Sequence, residues 1–284
     1  MNELLIDRKL TSEQAAEWAN RRVVPYEPYD VGDMPVLFRD RLTGDPVALL
    51  ARADPEDVER LTGAIHAYRG HFGGVVRAGG MRSKSATFGF SGPSPVMQRF
   101  APSAAAWAWQ HPESHDAVAG YAGKLREMFL RLGPEVPLSV NETTRLKIHE
   151  DWRMGDTCWT SGIVNDTAGL YYHYDRNNVP GTWSAMITLR AGTKGGHLHV
   201  ADYDLTVACR NGELLFFPGM DLMHGVTPIT ESLKGGYRFT AVYYSVKRFL
   251  KMASSAESLE KAQVRRADLE GTLIERQKNA GMIQ

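Results

Sequence analysis

From residue 145 to residue 248 the chain is a series of short apolar stretches, each closed by turn-forming residues. Candidate strands cover 146–152, 158–164, 183–189, 197–203, 205–209, 213–217 and 237–246. Strands this short persist only when neighbours pair with their edges and a second layer covers one face. That requirement selects a double-sheet barrel of jelly-roll type. Asn211-Gly212, between two of these stretches, is a strong two-residue hairpin signal.

The flanks read differently. Thr11-Ser12-Glu13-Gln14 has the form of a capping box opening a helix through about residue 22. Asp54-Pro55 sets a cap and a first-turn proline before a helix over 56–69. Ser114 is placed to cap a helix that runs to Leu132, where Gly133-Pro134 stops it. Ser254 with Glu257 starts a last helix through about residue 278, with Leu259, Ala262, Leu269 and Leu273 as a partial apolar stripe. The expected class is α+β: a mainly helical or mixed part over 1–140, a jelly-roll (double-stranded β-helix) core over 145–248, and a C-terminal helix over 254–282. With no internal repeat or long linker, residues 1–284 are expected to form one domain.

Composition narrows the setting. No apolar run is long enough to span a bilayer, and Met1-Asn2-Glu3-Leu4 does not open a signal peptide, so a soluble, cytoplasmic protein is expected. Cys158 and Cys209 are too few for a zinc cluster or a disulfide framework and read as buried thiols. Lys plus Arg equals Asp plus Glu at 33 each, which argues against indiscriminate coating of nucleic acid but leaves room for a local basic groove.

Against this background three residues form a pattern. His173 and Asp175 stand at i and i+2, so an extended backbone points both to one side. His224 follows a hairpin signal, an apolar strand and the break Pro218-Gly219. Two imidazoles and one carboxylate suit a metal held on one face with the other face open, the arrangement of non-haem iron(II) oxygenases. Arg238 and Thr240 then share one face of an apolar strand. A buried arginine needs an anion, and its planar fork fits a carboxylate. A His-x-Asp pair alone carries little, and Arg238 alone reads equally well as a structural ion pair; the order and company of the five residues carry the argument. His197-Leu198-His199 is a weaker metal pair, without a third ligand at a recognisable spacing.

With these motifs the chain resembles the iron(II)- and 2-oxoglutarate-dependent dioxygenases. Within them it is similar to the TET/JBP branch, which oxidises the 5-methyl group of pyrimidine bases. The closer match rests on His173-Tyr174-Asp175-Arg176-Asn177-Asn178, Leu198-His199-Val200, His224-Gly225-Val226-Thr227-Pro228, and Arg238 and Thr240 followed by Tyr244. It covers roughly residues 145–248. The chain departs from the large animal enzymes in lacking a cysteine-rich region and in having Val246 where they place a base-contacting histidine. A compact microbial or phage-type member fits both departures, working in the host cytoplasm if phage-encoded.

The resemblance implies iron(II), 2-oxoglutarate and O2 as cofactor and co-substrates. His173, Asp175 and His224 would be metal-binding and catalytic, with Arg238, Thr240 and His199 on 2-oxoglutarate. The partner would be methylated DNA with its base flipped from the stack. Asn178 would contact the base edge and Tyr244 would stack on its face, while Arg82 and Lys84, in a basic and aromatic stretch ahead of a Gly- and Pro-rich loop, would meet phosphates. The expected reaction is hydroxylation of 5-methylcytosine in DNA to 5-hydroxymethylcytosine. Alternatives are a thymine hydroxylase of JBP type, and a 2-oxoglutarate oxygenase acting on a small molecule or protein side chain. A jelly-roll binding module without redox activity stands as a different class. Asn178 reads equally well as a turn residue and Tyr244 as core.

Overall fold

Side-chain alternation on one long strand organises the molecule. The computed structural model describes residues 1–29, 31–76, 82–94 and 99–279. In chain order the elements are β1 (Asn2–Ile6), α1 (Ser12–Ala16), β2 (Val36–Asp40), β3 (Pro46–Arg52), α2 (Pro55–Tyr68), β4 (Gly73–Val76) and β5 (Arg82–Ser91). Next come β6 (Ser103–Ala104), α3 (Ala106–Gln110), α4 (Pro112–Leu132), α5 (Glu135–Lys147), β7 (Ser161–Asp166), β8 (Leu170–His173) and β9 (Ser184–Gly195). The chain finishes with β10 (Leu198–Val200), β11 (Leu205–Val207), β12 (Glu213–Phe217), β13 (His224–Val226), β14 (Ile229–Tyr244) and α6 (Ser255–Asn279).

Two sheets face each other. The major sheet has the order β1-β2-β3-β12-β9-β14-β7-β5-β4, with β6 beside β5; the minor sheet is β11-β10-β13-β8. Phe239, Ala241 and Tyr243 of β14 look outward, into an apolar layer with Leu61 and Ile65 of α2 and Val118, Leu125 and Phe129 of α4. The alternate residues look inward. There Val242 of β14, Met186 of β9 and Leu215 and Phe217 of β12 meet Leu198, Val200, Leu205 and Val226 of the minor sheet. Burial of each large apolar side chain stabilises by about 1.5–3 kcal/mol, so both layers hold the sandwich shut. The α+β jelly-roll expectation holds.

Several local expectations are corrected. Of the two readings of the part over 1–140, the mixed one applies: β1 to β5 widen the major sheet on both sides. The stretch 146–152 is no strand but the end of α5 and a 3-10 turn over Glu150–Trp152. Asn211-Gly212 makes a turn, with Gly212 at φ +77°. It joins β11 of one sheet to β12 of the other, so it closes no hairpin.

Helix starts differ as well. Thr11 caps α1 through a true capping box with Gln14, but the helix ends at Ala16. Asp54 sits at the N-cap of α2 without a side-chain cap bond. α4 begins at Pro112, and Ser114 instead accepts a 2.7 Å hydrogen bond from the Trp107 indole. Ser254 caps α6 through the Glu257 N–H, but Leu259, Leu269 and Leu273 stay exposed. No helix of the described residues is long and apolar enough to cross a membrane.

Candidate metal centre

β8 and β13 are antiparallel neighbours, and His173 lies directly opposite His224. Residues in direct register share a face. Val200 is in turn opposite His224 and lies in the apolar interior, so both imidazoles look between the sheets. Just past β8, Asp175 is drawn to the same place by its N–H, which donates to Gly219 O at 2.9 Å. Its Oδ1 is 3.6 Å from His173 Nε2 and its Oδ2 3.9 Å from His224 Nε2. All three donor atoms lie within 4.8 Å of one another. Among the described residues this is the one group of three such donors.

The surroundings prepare these donors for a cation. His173 Nδ1 is 2.8 Å from Tyr171 O, and His224 Nδ1 is 2.9 Å from Leu222 O. Carbonyls only accept, so each Nδ1 carries the proton and each Nε2 presents its lone pair. Burial pushes His224 down to about 4, with His173 adding repulsion and Asp175 opposing both. The ring is therefore neutral at pH 7, as a metal ligand must be. Gly219 is required here: a Cβ would stand 2.5 Å from Asp175 Oδ2. Asn178 Nδ2 approaches the same carboxylate oxygen at 3.5 Å.

Further along the interior, on β14, lies Arg238. It is fully buried, and its Nε and Nη2 have no hydrogen-bond partner. Burial lowers its pKa, and nearby Arg190 lowers it further, while Cys209 opposes. A desolvated guanidinium with idle N–H groups is costly unless an anion completes it. Gly196 makes room for the side chain, since a Cβ there would lie 2.5 Å from Arg238 Nε. Thr240 is buried on the same face of β14, with Asn165 Nδ2 at 3.5 Å from its hydroxyl. The donor set and the orphaned guanidinium fit a divalent metal with a dicarboxylate beside it.

His199 does not join them. It lies opposite Gly225, one residue out of phase with Val200 and His224. Its side chain therefore emerges on the outer face of the minor sheet. There it meets Tyr172 Oη at 2.8 Å and Asp204 Oδ1 at 3.2 Å, and stacks on Tyr26 with ring centroids 4.0 Å apart. The expectation that His199 holds 2-oxoglutarate is overturned by this phase. His197 instead accepts from the Cys209 N–H at 3.2 Å, and burial, with help from Arg190, Arg238 and Arg210, pushes it down to about 4.

One opening is lined by two of the metal residues, and a second lies further back along β8, at Leu170 and Tyr171. A cavity of about 520 Å³ is lined by His173, Asp175, Asn178, Tyr244 and Ile163, and by Ala19 and Asn20 from the segment after α1. Tyr244 reaches it because Tyr243, of opposite phase, is sealed in the helix layer with its hydroxyl donating to Val118 O at 2.7 Å. Asn178 is nearly fully buried, and its Nδ2 also donates to Ser184 Oγ at 3.2 Å. The second opening, a cleft of about 880 Å³, is lined by Arg82 and Lys84 of β5 with Arg22, Arg69 and Asp166. Arg69 grips Asp166 through two hydrogen bonds of 2.9 and 3.0 Å, while Arg22, Arg82 and Lys84 are solvent-exposed. The Gly- and Pro-rich stretch after β5 lies partly outside the described residues.

No family model and no curated protein matches the sequence. Solved structures do match its fold. NgTET1, determined in complex with 5mC DNA, superposes with a TM-score of 0.58 at 13% identity, over 89% of this chain and 99% of that one. The chain shares the fold of that protein. A 2OG-Fe(II) oxygenase family oxidoreductase from Burkholderia pseudomallei follows, with a TM-score of 0.47 at 12% identity over 70% and 88% of the two chains. A prolyl hydroxylase from Trichoplax adhaerens gives 0.44 at 13% identity over 73% and 87%.

On this fold, two features were not legible in the sequence. Gly219 and Gly196 matter through the space they leave, which no motif encodes. Asn20 and Arg22 come from a segment distant in sequence from the jelly-roll core. The only hint of them was the end of the capping-box helix.

Proposed function

We propose that the protein is an iron(II)- and 2-oxoglutarate-dependent dioxygenase that hydroxylates the 5-methyl group of 5-methylcytosine in DNA, with residues 1–284 acting as one catalytic unit in the cytoplasm. The observation that carries the reading is the buried Arg238, whose Nε and Nη2 have no hydrogen-bond partner, on the inner face of β14 across from the minor sheet that bears His173 and His224. His173, Asp175 and His224 would hold the iron, and Arg238 with Thr240 the far carboxylate of 2-oxoglutarate. Iron with 2-oxoglutarate and O2 supplies the oxidising power for a C–H bond. The chain's own share is to position the methyl carbon and exclude water.

The substrate reading draws on the two openings. The cavity accommodates a planar group beside Tyr244, whose ring is placed to stack on it. Exposed Arg22, Arg82 and Lys84 give the neighbouring cleft the charge that a phosphodiester backbone requires. A cleft of that kind favours a nucleic acid over a small metabolite. A base inside a duplex cannot reach a recessed metal, so the nucleotide must leave the stack. The likeness in fold to a protein solved with 5mC DNA supports the same choice.

Mass spectrometry of nucleosides after incubation with iron(II), 2-oxoglutarate and methylated DNA is the test. 5-Hydroxymethylcytosine is expected, and Asp175→Ala should abolish it while leaving the circular dichroism spectrum unchanged. 5-Hydroxymethyluracil alone would transfer the reading to thymine. Succinate without any modified base would refute the DNA substrate.

A further inference from the structure

We propose that Asn20, from the segment after α1, reads the hydrogen-bonding edge of the substrate base; this rests on the base-oxidation reading above. That segment is fixed to the metal-bearing strand. The Asn20 N–H donates to Tyr172 O at 2.8 Å, and the Tyr172 N–H donates to Arg21 O at 3.0 Å. Residues 20 and 21 thus lengthen the minor sheet beyond β8, one residue from His173. Trp18 holds the segment down by packing edge-on against Tyr172, with ring centroids 5.1 Å apart.

Asn20 has φ +66°. A left-handed asparagine is the ordinary stop of a helical turn, so the backbone alone implies no ligand. The side chain does. It lines the same cavity as His173, Asp175 and Tyr244, is exposed there, and its carboxamide bonds to none of the described residues. Asn178 is less available, because its amide nitrogen is spent on Ser184 and Asp175.

A carboxamide offers a donor and an acceptor side by side. The Watson–Crick edge of cytosine presents an amino donor next to a ring-nitrogen acceptor, and one such pair matches it. With the stacking face supplied by Tyr244, Asn20 forms a polar wall of the cavity together with Arg176 and Asn177, and cytosine and thymine call for opposite orientations of its carboxamide. Asn178 then acts as a positioning residue for the Asp175 carboxylate.

The experiment is a competition on one duplex carrying both 5-methylcytosine and thymine, scored as the ratio of their hydroxylated products. Asn20→Gly removes the carboxamide and keeps the left-handed backbone accessible. The ratio is expected to fall by about 5- to 150-fold, the worth of a bidentate contact. Anisotropy of labelled methylated DNA should show weaker binding as well. Anaerobic titration with iron(II) and 2-oxoglutarate should keep wild-type stoichiometry. Asn178→Ala should do the reverse, weakening iron binding by about 10- to 100-fold with the ratio unmoved. An unchanged ratio in Asn20→Gly overturns the role of Asn20 alone. A wild-type enzyme that consumes 2-oxoglutarate but alters no base overturns the base reading, and this role with it.

Discussion

The two faces of β14 differ in almost everything except their backbone. On the outer face Phe239, Ala241 and Tyr243 are wholly buried among apolar side chains of α2 and α4. On the inner face Arg238 is equally buried, yet two of its nitrogens have no partner. The first face spends burial on stability. The second holds a group that is uncomfortable until a ligand arrives. One strand can serve both ends because successive residues point opposite ways.

The contrast can be broken by substitution. Phe239→Ala should cost about 3–5 kcal/mol of unfolding free energy, read by urea titration, with the affinity for 2-oxoglutarate nearly preserved in the folded fraction. Arg238→Met should behave oppositely. Affinity for 2-oxoglutarate, measured by calorimetry with a redox-inert divalent metal, should fall on the order of a hundredfold. The ligand-free protein should be as stable as wild type or more so, since an uncompensated charge has been removed. Equal destabilisation by both substitutions would erase the distinction between the faces.

A smaller effect sharpens the comparison on the helical side. Glu142 of α5 accepts from Arg126 at 2.7 and 2.8 Å and from Arg145 at 3.0 Å. These partners, Arg126 first, hold its carboxyl below the ordinary 4.5 against the opposing pull of burial. A depressed folded pKa means the stabilisation is complete above the unfolded value and is lost as pH falls through the folded one. Glu142→Gln should therefore cost about 1 kcal/mol at neutral pH, with the two stability curves converging in acid.

The sequence was most legible where chemistry and alternation coincide. His173 and Asp175, His224, and Arg238 with Thr240 are polar residues in apolar strands, and their spacing shows which of them share a face. Phase failed at His199. Leu198 and Val200 face the interior, but His199 is buried too, under Tyr26 and the segment after α1, so the sequence carried no polar side to set the register. β2 and β3 went unread because the jelly-roll motifs lie elsewhere and their short apolar runs carry no chemistry. The stretch 146–152 misled through its apolar residues: Leu146 closes a helix and Trp152 a 3-10 turn, and only the backbone tells them from a strand.

Tyr172 owes the pairing of its outward N–H and C=O to residues 20 and 21. Clip the amino terminus past that point and the strand beside the metal becomes a raw border, ready to recruit another chain. The opening residues thus guard against aggregation, and a shortened protein should precipitate as well as fall silent.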